Sequence, residues 1–312
     1  MVAERSGVRS LGSPTDRLIA LYALVSGTAL VFPHRPADWP AIALIHALAV
    51  VIGFGLPPAG PAWNALGRRV PRLAAGLHDW YPLLLVPPLY SELQVLNRCV
   101  WGGVYFDSIV QGWDQAIFGT QPSRAFAATL PFAPLSELLH FGYLSYYLLI
   151  VGPPLLIWLS KRRDAFRAAI FALMLTYAVH YMFYIWFPVL GPRTLFPEPG
   201  GALANGPFYR MTHALLEAGS SAGAAFPSSH VGIAVAQTLV ARRFLPRWWP
   251  LFGFLTLCLA AGTVYGTFHY AIDAIAGAAL GAICAAAAFP LHDRMTRGRR
   301  PAATAAASPG RP

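Results

Sequence analysis

The sequence predicts an all-α integral membrane protein, a multi-pass bundle of about eight transmembrane helices. Three observations predict it. Of 312 residues, 56% are hydrophobic and only 12% are charged, against about a quarter charged in soluble domains; the mean hydropathy is +0.50. Apolar runs follow one another with short connections and no polar block large enough to fold alone. Basic residues cluster between those runs as the positive-inside rule requires.

The runs are residues 17–32, 39–56, 80–96, 135–159, 166–190, 228–245, 249–267 and 271–290, against a need for about 17–25 residues per span. The first follows Arg5, Arg9 and Arg17 without a small-residue cleavage site, so it reads as an anchor rather than a removed leader. With a cytoplasmic N-terminus, eight crossings put 18 of the 23 basic residues on one side. Arg35, Arg98, Arg124, Arg193 and Arg210 are left on the other. The expected location is therefore a bacterial plasma membrane with both termini cytoplasmic and the loops 97–134 and 191–227 outside. Residues 1–79 form an N-terminal segment with two spans, 80–292 the main membrane domain, and 293–312, ending in "AATAAASPGRP", a disordered cytoplasmic tail.

The net charge of +10 is accounted for by these loop arginines, and nucleic acid is not expected as a partner. Cys99, Cys258 and Cys284 have no metal-site spacing and form no disulfide framework. In the first outer loop, Phe106, Ile109, Val110, Trp113, Ile117 and Phe118 make one helical stripe, with Asp107, Gln111, Asp114 and Gln115 opposite. That pattern predicts a helix lying on the membrane surface or packed on the bundle.

Ionisable groups near span ends are the first functional candidates. His269 and Asp273 are four apart, so a carboxylate can orient one imidazole nitrogen and strengthen the other as a nucleophile. His230, at the mouth of an apolar run in "AFPSSHVG", is a second imidazole able to protonate a leaving alkoxide. Arg193 follows a Gly-Pro break and can grip phosphate oxygens. Pro227, Ser228 and Ser229 open a helix whose free amides attract an anion. These are the parts of a phosphoryl-transfer site with neither metal nor cofactor. Two histidines and one Asp are also a partial metal set, without a further ligand cluster in the sequence.

The pair "FPSSH" and "HYAID", with an arginine-bearing loop upstream, resembles the type 2 phosphatidic acid phosphatase (PAP2) superfamily. Its pattern is K-x6-R-P, then P-S-G-H, then S-R-x5-H-x3-D. Here Ser229 holds the glycine position, Pro192-Arg193 is reversed, Trp186 stands where Lys is expected, and Thr263 where Arg is expected. These departures resemble the branch with fungal inositolphosphoryl transferases, as do "LYSELQVLN" and "FDSIVQGWDQAIFG". The resemblance implies a six-helix PAP2-like core within the bundle and a phosphohistidine intermediate. In it His269 attacks phosphorus, Asp273 orients it, His230 protonates the departing alcohol, and Arg193, Ser228 and Ser229 bind phosphate. Arg210 is a candidate to replace a missing cation.

Glu92, Tyr184 and Tyr265 are candidate walls of a substrate cavity, Glu92 and Tyr184 on the strength of the resemblance. Glu137, His140, Tyr143, Tyr146, Tyr147 and His180 are polar groups at or inside the runs, with interhelical hydrogen bonding as their other use. His46 reads as a packed histidine. The partners implied are membrane lipids. Three functions stay open: transfer of a phosphorylated headgroup to an alcohol, hydrolysis of a lipid phosphate such as phosphatidate or an isoprenyl diphosphate, and a non-catalytic binding or transport scaffold. The Gly- and Pro-rich loop 191–227 is the natural lid.

Overall fold

The computed structural model describes residues 12–54 and 71–297. Its helices are α1 (Pro14–Gly27), α2 (Trp39–Phe54), α3 (Pro71–Leu84), α4 (Val86–Trp101), α5 (Asp107–Phe118), α6 (Pro122–Thr129), α7 (Ala133–Leu144), α8 (Tyr146–Leu159), α9 (Arg163–Trp186), α10 (Pro207–Gly219), α11 (Ser229–Phe244), α12 (Trp249–Tyr265) and α13 (Ala271–Arg297). Short 3-10 turns cover Thr28–Val31, Pro192–Thr194 and Gly201–Ala204.

Local sequence sets the ends of these helices. Ser13 and Asp16 exchange side-chain and backbone hydrogen bonds at the start of α1, a capping box with Pro14 in the first turn. Gly102, at φ +61°, closes α4 in the left-handed conformation that glycine adopts at least cost. The run 135–159 is split at Ser145, where α7 and α8 meet at 47°.

α9 is the central post, packed against α1, α4, α8, α11 and α13. Phe166, Phe171, Leu173, Tyr184 and Ile185 are fully buried along it. α11 and α13 approach through glycines: a Cβ on Gly277 would lie 2.2 Å from the Ser228 carbonyl oxygen, and one on Gly281 2.1 Å from that of Gly232. Only residues without a side chain allow this backbone contact. It joins the "FPSSH" segment to the helix that carries Asp273.

The expectation of about eight spans is not met. Among the described residues two helices, α9 and α13, are long and apolar enough to cross a membrane, or three if the bent pair α7–α8 counts as one. The other apolar runs make shorter helices: α11 has 16 residues and α12 has 17. At 1.5 Å per residue, 16 residues reach about 24 Å, short of a hydrocarbon core of about 30 Å. Hydropathy cannot distinguish an apolar side chain bound for a protein interior from one bound for lipid, and Val231, Ile233, Ala234 and Val240 of α11 go to the interior.

The localisation is corrected with it. Assigning successive loops to opposite faces required eight crossings, so the multi-pass topology, the cytoplasmic termini and the extracytoplasmic site do not follow. Among the described residues Arg162, Arg163 and Arg243 make local contacts at one end of the bundle. Arg162 donates to the Phe244 carbonyl at 2.7 Å, and Arg163 to Asp79 at 3.0 Å. Arg243 stacks on Phe289. The proposed tail overlaps the last turns of α13, and residues 298–312 lie outside the described residues.

α5 is docked on the bundle. Phe106, just before it, stacks on Phe187 with centroids 4.9 Å apart, and Trp113 meets Phe226 at 5.4 Å. The polar side turns inward at Asp107, Gln111 and Asp114, while Ile109, Ile117 and Phe118 of the apolar stripe are exposed. The reason is hydrogen bonding: the two buried carboxylates accept from backbone amides that have no other partner (below).

Candidate active site

Two backbone segments converge at the end of the bundle away from Arg162, Arg163 and Arg243. In the first, a cis Phe226–Pro227 peptide precedes α11. Ser228 is its N-cap, with Oγ accepting from the Val231 amide at 3.4 Å. The Tyr184 hydroxyl donates to the Pro227 carbonyl and accepts from the Ser229 amide, both at 2.8 Å. In the second, the Thr263 carbonyl accepts from the amides of Phe268 and His269, both at 2.9 Å, folding the chain into a turn between α12 and α13. The two segments are tied where the Ser228 amide donates to the Asp273 carbonyl at 2.9 Å.

His269 thus lies on the turn before α13 and Asp273 in the helix's first turn. Asp273 Oδ2 accepts from the Tyr270 amide at 3.0 Å and lies 3.4 Å from His269 Nδ1. On its other side, His269 Nε2 is 3.5 Å from His230 Nδ1, and His230 Nε2 is 3.1 Å from the Tyr143 hydroxyl. The result is a continuous chain, Asp273–His269–His230–Tyr143. Asp273 is fully buried and His269 only 4% exposed. A carboxylate at Nδ1 leaves the lone pair of Nε2 directed at the gap between the imidazoles, the geometry of an oriented nucleophile facing a proton donor.

Arg193 sits on the 3-10 turn Pro192–Thr194 after Gly191, whose φ is +94°. That loop is stitched to the first segment: Val189 donates to Gly223 at 3.1 Å, and Ala225 donates to Val189 at 3.0 Å. Arg193 Nε is 3.7 Å from Glu198 Oε1, and Glu198 Oε2 is 2.9 Å from His213 Nδ1. Burial lowers the affinity of His213 for a proton, opposed by Glu198.

The residues named from sequence divide. The structure brings together His230, His269, Asp273, Ser228 and Ser229, with the Arg193 loop bonded to the same backbone. Glu92 turns to His46, whose Nε2 is 3.2 Å away and whose Nδ1 is 2.9 Å from the Ala23 carbonyl. The Tyr265 hydroxyl donates to the Leu130 carbonyl at 2.9 Å. Arg210 is exposed on α10. Thr263, where the PAP2 pattern has Arg, is fully buried and donates its hydroxyl to Ala260 at 2.7 Å. His140 and His180 each sit with Nδ1 within 2.8 Å of the carbonyl four residues back. Among the described residues no group of three or more His, Cys, Asp and Glu side chains is arranged to hold a metal.

A cavity of about 620 Å³ adjoins His230. His230 and Ser229 form part of its wall, Tyr90, Tyr143 and Tyr147 contribute rings, and Leu216 of α10 closes one side. The region read as a lid therefore contains a helix over the cavity. α10 is held by Glu137, whose carboxylate accepts from the amides of Phe208 at 2.9 Å and Tyr209 at 3.0 Å. The volume and mostly apolar wall suit a chain-bearing ligand.

Sequence reasoning missed the supports. Asp107 accepts from the amides of Leu190 and Gly191, both at 2.9 Å, and from the Tyr270 hydroxyl at 3.0 Å. Asp114 accepts from the amides of Ala271 at 3.1 Å and Ile272 at 2.9 Å, and Gln111 donates to the Tyr270 hydroxyl at 3.1 Å. The available signal was the spacing of 107, 111 and 114 on one helical face.

These observations define an all-α protein with a buried carboxylate–histidine–histidine chain beside an apolar cavity. A family model described as the PAP2 superfamily matches residues 110–287, more than half of the chain, and the protein belongs to that superfamily. Membership carries a phosphatase- or phosphotransferase-type role in general and makes a lipid-related substrate plausible. No curated protein and no solved structure matches the chain.

Proposed function

We propose that the protein transfers a phosphoryl-bearing headgroup from a lipid donor to an alcohol through a phosphohistidine on His269, in the manner of the inositolphosphoryl transferase branch. The observation that supports this most is the chain from Asp273 through His269 Nε2 to His230 Nδ1, 3.4 and 3.5 Å apart. In the first half-reaction the Nε2 lone pair forms the P–N bond. The P–O bond to the lipid alcohol breaks, and the departing oxygen takes a proton from His230. In the second, an acceptor hydroxyl gives its proton to His230 as its oxygen attacks phosphorus and the P–N bond breaks. Arg193 and the start of α11 neutralise the phosphoryl oxygens.

The cavity of about 620 Å³ beside His230 has room for the chain of a lipid donor or acceptor, and the preference for transfer over hydrolysis rests on the branch resemblance of the motifs. The test is purified protein with radiolabelled phosphatidylinositol, with and without ceramide. A new phospholipid that requires the acceptor, together with acid-labile label lost in His269→Ala, is expected. Inositol phosphate released without any acceptor would replace transfer by hydrolysis, and an active His269→Ala chain would end the phosphohistidine mechanism.

A further inference from the structure

We propose that Tyr143 is a positioning residue that decides which nitrogen of His230 exchanges the catalytic proton, an inference that rests on the phosphohistidine reading above. Its hydroxyl lies 3.1 Å from His230 Nε2, the partner of that nitrogen among the described residues. The two rings stack at 29° with centroids 5.0 Å apart. Tyr146 packs on His230 at 4.4 Å, and Phe268 packs on Tyr143 at 4.7 Å. The packed rings hold His230 Nε2 toward the Tyr143 hydroxyl, and its Nδ1 faces His269 Nε2 at 3.5 Å.

The proton inventory follows from that placement. As the P–O bond breaks, its electron pair stays on the alcohol oxygen, which takes the Nδ1 proton of doubly protonated His230. Neutral His230 keeps its other proton on Nε2, donated to the Tyr143 oxygen. The lone pair is then on Nδ1, in the gap, where it receives the acceptor's hydroxyl proton when the P–N bond breaks. Without the Tyr143 oxygen, an Nε2 proton would point at aromatic carbon. A buried donor without an acceptor is costly. The doubly protonated form would lose support, and the remaining proton would shift to Nδ1, leaving the gap without a base.

The test uses the full-length chain, wild type and Tyr143→Phe, on two phosphate monoesters. Dodecyl phosphate releases an alkoxide that needs a proton; p-nitrophenyl phosphate releases a stable phenolate that does not. Tyr143→Phe is expected to lower kcat/KM, which reads only the steps up to release of the leaving group, by about 10- to 100-fold on dodecyl phosphate, the lower range of general acid catalysis, and by less than about threefold on p-nitrophenyl phosphate. Both rates come from one sample, so any lost folded protein cancels in their ratio. In a His230→Gln background the Tyr143→Phe change should add nothing. Equal losses on both esters, no loss on dodecyl phosphate, or additive losses in the double variant would overturn the role of Tyr143. A wild-type chain that forms no phosphohistidine with either ester or with the lipid donor would defeat the underlying mechanism and this inference with it.

Discussion

Removing the Asp114 carboxylate tests how the site is supported. Asp114 is fully buried, 0% exposed, and its two oxygens accept from the amides of Ala271 and Ile272. Both amides belong to the first turn of α13, where no helical carbonyl is available to them. In Asp114→Ala the Ala271 amide is left buried without an acceptor, at about 1–3 kcal/mol. The Ile272 amide is partly buried and recovers some hydration, so it adds about 1 kcal/mol. Loss of a negative charge at a helix N-terminus adds about 0.5 kcal/mol. The expected total is about 3 kcal/mol, and about half that for Asp114→Asn, which keeps one acceptor oxygen. Equilibrium unfolding by denaturant measures it, and turnover should fall in parallel because these amides lie two and three residues from His269. The pH dependence is a second check. Burial raises the Asp114 carboxyl above its ordinary 3.8, opposed by the same two amides. The folded chain therefore holds this proton more tightly than the unfolded chain. The stability it contributes is fully present below the ordinary value and is lost as pH rises through the raised one. Asp114→Asn cannot ionise, so its deficit against wild type should be largest near pH 4 and shrink toward neutrality. A deficit under about 0.5 kcal/mol in both variants, or one that widens with rising pH, would refute the reasoning.

Two further changes probe the phosphate cradle and the helix contact beneath it. Glu198→Gln removes the carboxylate 3.7 Å from Arg193 Nε; a partly exposed pair of this kind is worth about 0.2–1 kcal/mol. Inhibition by inorganic phosphate should tighten by up to about fivefold, and an unchanged inhibition constant would remove Arg193 from the phosphate site. Gly277→Ala places a methyl 2.2 Å from the Ser228 carbonyl oxygen, which should cost about 1–3 kcal/mol by overpacking and lower kcat by shifting His230 from His269; unfolding and steady-state kinetics would show both, and a wild-type profile would mean that the contact yields freely.

The catalytic candidates were legible because their chemistry is local. Four residues between His269 and Asp273 suffice to put a carboxylate at an imidazole, and "FPSSH" marks a capped helix start. The supports were not legible. Asp107 meets Tyr270 across 163 positions, and Asp114 meets Ile272 across 158; a polar residue on an amphipathic stripe looks the same whether it faces water or an orphan amide. Tyr143 lies 87 positions from the histidine it touches, so nothing in "FGYLSYY" separates it from its neighbouring tyrosines. The eight-span reading failed for a related reason. Hydropathy averages over a window and is blind to the break at Ser145 and to the interior packing that turned apolar runs into helices too short to cross.

The sequence by itself determined the all-α class, the helix opening beside Ser228, the basic clusters, and the spacing that sets His269 against Asp273, because each rests on residues within a turn or two of one another. The tertiary structure alone decided how few helices are candidates to cross a membrane, that α5 turns its carboxylates inward, and that His230 stands between Tyr143 and His269 at the edge of an apolar cavity. Those outcomes depend on which distant backbone groups lack a partner and on how closely glycine lets α11 approach α13, and neither quantity can be computed from a window of sequence.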